Sequence, residues 1–184
     1  MANFQKVNTA YILKWEGWLS KNKSDTASKD CVPDGSGFHT NKGITWTAWK
    51  FIFGSDIKGF YEMRPEKWLM CYRWYWNSIE GDLINSQSIA ELFADWAWAS
   101  GKYAKTEMQR WLVSLGEKLE VDGDIGRETL GVLNKLIATR GEKWMFESCY
   151  SWRVDWVKRL RQYPTFGKGW MRRLNDFYAI FSRN

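Results

Sequence analysis

Trp15-Glu16-Gly17-Trp18, a polar loop, and then Thr40-Asn41-Lys42-Gly43-Ile44-Thr45 form the stretch whose reading decides the fold. Upstream, Phe4, Val7, Tyr11, Ile12 and Trp15 recur at helical spacing. This predicts a helix over Phe4–Trp15 that delivers Glu16 near its carboxyl end, with Gly17 as its stop. Apolar indoles beside a carboxyl disfavour its charged form and raise its pKa, which is what a proton donor to a glycosidic oxygen requires. Glu16 is therefore the candidate general acid. The plainer alternative is an exposed helix end.

Residues 20–45 carry Ser, Lys, Asp, Pro and Gly with little periodicity, and a loop this long inside a folded domain is usually functional. A short hairpin is expected around Asp34-Gly35-Ser36-Gly37. The loop offers Asp25, Asp30 and Asp34 as a second carboxylate, each equally readable as a turn residue. Thr40 and Thr45 carry hydroxyls that could orient a water or a sugar, or serve a hairpin or a helix cap. Trp18, His39, Thr40 and Asn41 are candidate substrate contacts, with His39 the only histidine.

Beyond the loop the pattern is helical. Thr45 or Thr47 can cap a helix through Trp49, Phe53 and Ile57, and Pro65-Glu66 opens another through Trp76. Ser86 or Ser88 can cap a third that ends at Ser100-Gly101, and Met108, Trp111, Leu112 and Leu115 continue as a fourth. A turn at 121–130 enters a helix through Leu133 and Leu136, and two more cover 140–161 and 168–182, broken at Tyr163-Pro164. The fold class is mainly α. Residues 1–86 are expected to form a catalytic domain and 87–184 a smaller helical lobe, the two packed as one compact unit.

The chain has 184 residues, 45% hydrophobic and 26% charged, so it can build a core and is not disordered. Most of its fourteen Trp should fill that core, while the rest face a groove. The net charge of +6 is uneven. Residues 140–184 hold ten Lys or Arg (Arg140, Lys143, Arg153, Lys158, Arg159, Arg161, Lys168, Arg172, Arg173 and Arg183) against Glu142, Glu147, Asp155 and Asp176. A basic flank favours a polyanionic partner, or is a solvated helix face. No helix-turn-helix spacing or aromatic-basic strand motif supports nucleic acid.

Cys31, Cys71 and Cys149 form no CxxC pair, and their odd number suggests a reducing compartment rather than a disulfide framework. Asp122-Gly123-Asp124-Ile125-Gly126 lacks the ligand set of a calcium loop, so neither metal nor cofactor is expected. No apolar run reaches the roughly 18 residues of a membrane span, and the amino end lacks a charged-then-apolar leader. The chain is expected to be made in the cytoplasm and to act in the periplasm or wall after release through a holin-type pore or by another export route.

The ordered set Glu16-Gly17, a loop with Asp-Gly, and Thr40-Asn41-Lys42-Gly43-Ile44-Thr45 resembles the amino-terminal signature of the phage-type N-acetylmuramidases of glycoside hydrolase family 108. Their pattern runs Glu-Gly-Gly, Asp, Gly-Gly, Thr-Asn-x-Gly-Ile-Thr. Tyr72-Arg73-Trp74-Tyr75-Trp76 is similar to that family's Tyr-Trp helix. Ala94-Asp95 through Ser100-Gly101, Met108-Gln109 and Asp122 to Leu130 resemble its predicted peptidoglycan-binding lobe, and Gly169-Trp170-Met171-Arg172-Arg173 its closing Gly-Trp-x-x-Arg. Trp18 stands where the family has a second Gly, and Gly35-Ser36-Gly37-Phe38 replaces its Gly-Gly.

The resemblance implies a lysozyme-like helical domain that hydrolyses the β-1,4 bond between N-acetylmuramic acid and N-acetylglucosamine, with peptidoglycan glycan strands as partner. It implies Glu16 as general acid and favours Asp34, in Pro33-Asp34-Gly35, as the second carboxylate, with Asp25 as runner-up and Thr45 beside them. A non-catalytic wall binder is the alternative.

Overall fold

The computed structural model describes residues 1–182; Arg183 of the basic segment lies outside the described residues. Among the described residues the chain forms eight α-helices and one two-stranded sheet, so it is mainly α. Contacts divide it into two units, one of Thr9–Trp74 and the other of Met1–Asn8 with the residues from Tyr75 on. The sequence placed a boundary at 86/87. The first residues join the second unit because their amides do: Ala2 N donates to Ile84 O at 2.7 Å, Asn3 N to Gln87 Oε1 at 2.8 Å and Phe4 N to Asp82 Oδ1 at 3.0 Å.

The helix expected over Phe4–Trp15 is broken. Asn3 caps a 3-10 turn at Phe4–Lys6 by accepting from Gln5 N at 2.9 Å, and Val7 then turns extended (φ −59°, ψ 132°). Asn8 N donates to the carboxylate of Glu91 at 3.1 Å instead of to a carbonyl one turn back. Helix α1 therefore spans only Thr9–Trp15, with Tyr11 and Ile12 buried.

In the Thr9–Trp74 unit, strands β1 (Thr40–Asn41) and β2 (Ile44–Thr45) precede helices α2 (Trp46–Phe53), α3 (Ile57–Glu62) and α4, which starts at Pro65 and runs to Asn77. Thr45 caps α2, and Gly54 ends it with φ 69°, a value that favours glycine. Ile57, expected in α2, consequently opens α3, whose cap is Asp56 accepting from Gly59 N at 2.8 Å. The core is aromatic. Trp46 and Trp49 set their rings edge-on to Phe60 at 5.3 and 5.9 Å, and Trp68 stacks on Tyr72 at 5.8 Å. Burying a side chain such as Phe60 stabilises the fold by roughly 1.5–3 kcal/mol.

The second unit holds helices α5 (Gln87–Ser114), α6 (Arg127–Arg140), α7 (Glu142–Lys158) and α8 (Tyr163–Phe181), with α7 packed on the other three. Ser86 is the cap of α5, accepting from Ile89 N at 3.1 Å, while the hydroxyls of Ser86 and Ser88 both donate to Glu142 Oε1 at 2.6 and 2.9 Å. Two helices were expected either side of Ser100-Gly101. They join without a loop because Gly101 adopts φ 53°, ψ −132° and bends the helix at one residue. Helix α8 starts at Tyr163, since Pro164 falls in the first turn, where no backbone N–H is needed. Trp46, Trp49, Trp68, Trp76, Trp96, Trp98 and Trp111 are buried, whereas Trp18, Trp74 and Trp144 are exposed.

Asp95 lies fully inside this unit between two guanidinium groups, Arg153 Nη2 at 2.7 Å on one oxygen and Arg173 Nη2 at 2.7 Å on the other. Burial alone would raise its pKa, but Arg173 and Arg153 together hold the carboxyl below its ordinary range. Two members of the basic segment are thus engaged in the interior and do not add to the surface charge. Asp95→Ala would leave two cations facing each other out of water, and urea unfolding should show a stability loss of about 3–5 kcal/mol.

Candidate active site

Glu16 is the first residue beyond α1 and is half-buried. Past Gly17, the indole of Trp18 is 80% exposed, so it presents a ring to solvent. The segment is then pinned. Ser20 forms an antiparallel bridge with Thr40, with Ser20 N donating to Thr40 O at 2.8 Å and His39 N to Ser20 O at 3.0 Å. Three residues separate Glu16 from that bridge, and the cation of Lys42 lies 5.7 Å from the Trp18 ring centroid. The segment after α1 and the Thr-Asn-Lys-Gly-Ile-Thr sequence therefore belong to one piece of structure.

That sequence is itself the hairpin. Thr40 pairs with Thr45 and Asn41 with Ile44, leaving Lys42-Gly43 as a two-residue loop. Both loop residues have positive φ, 45° at Lys42 and 80° at Gly43, which is the twist that a tight antiparallel connection requires. The hairpin expected at Asp34-Gly35-Ser36-Gly37 is instead a turn. Gly35 and Gly37 supply φ 80° and 76°, and Val32 N closes the turn on Phe38 O at 2.8 Å, but no strands pair there.

Two expected substrate contacts face inward. His39 is wholly buried, its Nε2 3.2 Å from Asn22 O and its Nδ1 3.0 Å from Thr40 Oγ1. A carbonyl only accepts, so Nε2 carries a proton and the ring ties the Asn22 loop to the hairpin. Asn41 is 2% exposed, and its Nδ2 donates to Phe60 O at 2.7 Å and Tyr61 O at 3.2 Å. Both side chains are engaged in bracing the hairpin from behind. Thr40 is half-buried against His39. Thr45 accepts from Ala48 N at 3.1 Å as the α2 cap, which leaves its own O–H proton to donate.

Asp34 is exposed and held by α3. The Tyr61 hydroxyl donates to Asp34 Oδ2 and lies 2.8 Å from Ser36 Oγ, while Ser36 N donates to Asp34 Oδ1 at 2.9 Å. The bond from Tyr61, then those from Ser36, bring the Asp34 carboxyl down to about 2. A group that acidic is an anion throughout the neutral range and cannot act as a proton donor there. Burial first, and then the neighbouring Asp34 anion, raise the Tyr61 phenol, which keeps its proton for this bond.

The other two loop carboxylates have local tasks. Asp25 caps the short turn at Thr26–Lys29 through Ala27 N at 2.9 Å, and Asp30 binds Thr47 Oγ1 at 2.5 Å and Lys50 Nζ at 2.9 Å. The bonds from Thr47 and Lys50 lower the Asp30 carboxyl as well. Tyr61 is the site residue that sequence reasoning missed. It stands beside core Phe60 on a six-residue helix, and no motif marks it.

A half-buried carboxyl at a helix exit, an exposed indole, a tight hairpin and an anion held by a phenol thus lie in one unit, and a helical lobe follows it in the chain. Residues 9–101 match the profile described as Glycosyl hydrolase 108, and residues 103–175 match the one described as Predicted Peptidoglycan domain. The chain belongs to glycosyl hydrolase family 108. The two matched segments meet at the bend of Gly101 in α5. A solved structure titled "Structure of Brucella abortus SagA" is similar over 98% of this chain and 96% of that one, with a TM-score of 0.74 and 26% sequence identity. No curated protein sequence matches the chain.

Removing the phenol tests how Asp34 is set. In Tyr61→Phe the largest cause of the shift disappears, so the Asp34 carboxyl should titrate nearer the ordinary aspartate value of about 3.9, read by carbon-detected NMR from pH 1.5 to 6. An unchanged titration would show that Ser36 alone sets it.

Proposed function

We propose that the chain cleaves the β-1,4 bond between N-acetylmuramic acid and N-acetylglucosamine in peptidoglycan, with Glu16 as general acid. The observation that carries this reading is the Asp34 carboxylate, held as an anion by Tyr61 and Ser36 in the same unit as Glu16. Asp34 is fixed as an anion, so the proton for the leaving oxygen has to come from another group. Glu16, at the open end of α1 beside an exposed indole, is the acid so placed. Glycoside cleavage asks for this division, with one carboxylic acid to protonate the leaving oxygen and one anion to support an oxocarbenium-like ring or activate water.

The remaining roles follow from exposure. Trp18 offers its ring to the apolar face of a sugar. Thr45, its oxygen fixed by Ala48 N–H, directs its own proton to a water or a sugar hydroxyl. Tyr61 and Asn41 are positioning residues for Asp34. The lobe at 103–175 and the exposed cations of α7 and α8 hold the enzyme to the anionic wall. No described helix is long and apolar enough to cross a membrane.

Glu16→Gln keeps the shape of the side chain and removes its acid. Clearing of a purified peptidoglycan suspension should slow by about 10²–10⁴-fold, the usual share of a general acid. A rate near that of the unaltered chain would remove Glu16 from the mechanism. The pH profile has a definite sign. The Asp34 anion is present above its pKa and lost as pH falls through it, so its acid limb should lie near pH 2 and should move upward in Tyr61→Phe.

A further inference from the structure

A groove of about 190 Å³ runs between α1 and the start of α4, lined by Thr9, Leu13, Lys42, Pro65, Trp68 and Leu69. It lies wholly within the Thr9–Trp74 unit and is apolar along its length, with Leu13 44% and Leu69 38% exposed. One charge stands at its rim. Lys42, held in the hairpin turn, donates one of its three N–H bonds to Met63 O at 3.0 Å, and its backbone carbonyl accepts from Trp68 Nε1 at 3.0 Å. The ammonium is thus fixed in place with donors to spare, between the groove and the exposed Trp18 ring 5.7 Å away.

We propose that this groove is the subsite for the peptide stem carried by the muramic acid residue, with Lys42 binding a stem carboxylate. The assignment rests on the proposed cleavage of peptidoglycan and names the part of that polymer bound here. A sugar is a poor match, because Leu13, Pro65 and Leu69 offer its hydroxyls no hydrogen-bonding partner. The stem suits the lining, since lactyl and alanine methyl groups fit the apolar walls and glutamyl and diamino-acid carboxylates match the one cation. The volume agrees too. It is smaller than the roughly 300–1,000 Å³ of pockets that enclose a whole small ligand, and it fits a short segment of a longer chain. Lys42 and Trp18 would then separate a sugar-facing side from a peptide-facing side.

The test reads binding and not cleavage, so it stands apart from the test of Glu16. The full chain is titrated with the free stem tripeptide Ala-γ-Glu-diaminopimelate and, separately, with the peptide-free disaccharide, following the Trp68 indole N–H by NMR. The tripeptide should move that signal saturably, with weaker binding at higher salt, and the disaccharide should leave it in place. Lys42→Met should weaken tripeptide binding at least tenfold with the rest of the spectrum retained. Leu69→Asp, which puts an anion on an exposed wall, should do the same if Lys42→Met fails to fold. No response to the tripeptide, equal affinity in a folded variant, or a shift driven by the disaccharide would overturn the assignment.

Discussion

The buried amide of Asn41 is the constraint on which the catalytic unit depends. It sits in the hairpin yet donates to the carbonyls of Phe60 and Tyr61 in α3, groups that the short helix leaves without partners of its own. Buried polar groups are nearly always paired, so the amide and the two carbonyls fix each other. From there the geometry is handed on. Tyr61 can reach Asp34 only while α3 stays where Asn41 holds it, and its bond is the largest cause of the lowered Asp34 pKa. Lys42 repeats the tie one residue later, through Met63 O and Trp68 Nε1. A six-residue stretch that reads as a signature for chemistry works first as a brace.

The helical lobe is organised by a different device. Asp95 on α5 receives Arg153 from α7 and Arg173 from α8, so three helices are registered by one carboxylate. Such a cluster contributes little net stability compared with apolar packing, because each ion loses its hydration. Its effect is on arrangement, since shifting any of the three helices would leave a charge buried without a partner. Arg173, the last residue of the Gly-Trp-x-x-Arg segment, is one of the two cations that Asp95 binds in the core.

What could be read from the sequence was local. Thr45 as a cap, Pro65 as a helix start, Ser86 as a cap and the delivery of Glu16 by the first helix all rest on neighbouring residues, and the structure has each of them. The break at Val7 and Asn8 had no such signal, because the group that takes the Asn8 amide is Glu91, 83 residues away. His39 and Asn41 were candidate substrate contacts by their place in a motif, whereas their burial depends on what α3 and the Asn22 loop do around them. The hairpin was expected at the Gly-rich stretch because glycines signal positive φ, but Lys42 adopts that geometry without being glycine. Tyr61 was invisible for the same reason, since its partner Asp34 is distant in sequence and close only after folding.

Acid-assisted hydrolysis on one side of muramic acid, the reaction proposed for this chain, leaves a distinctive chain end. Mass spectrometry of purified peptidoglycan after digestion tests it most directly, because the chemistry is written into the ends of the fragments. Fragments ending in reducing N-acetylmuramic acid are the predicted result. Anhydromuramic ends would mean that no water enters the reaction, and reducing N-acetylglucosamine ends would mean that the other glycosidic bond is broken. Either would contradict the account.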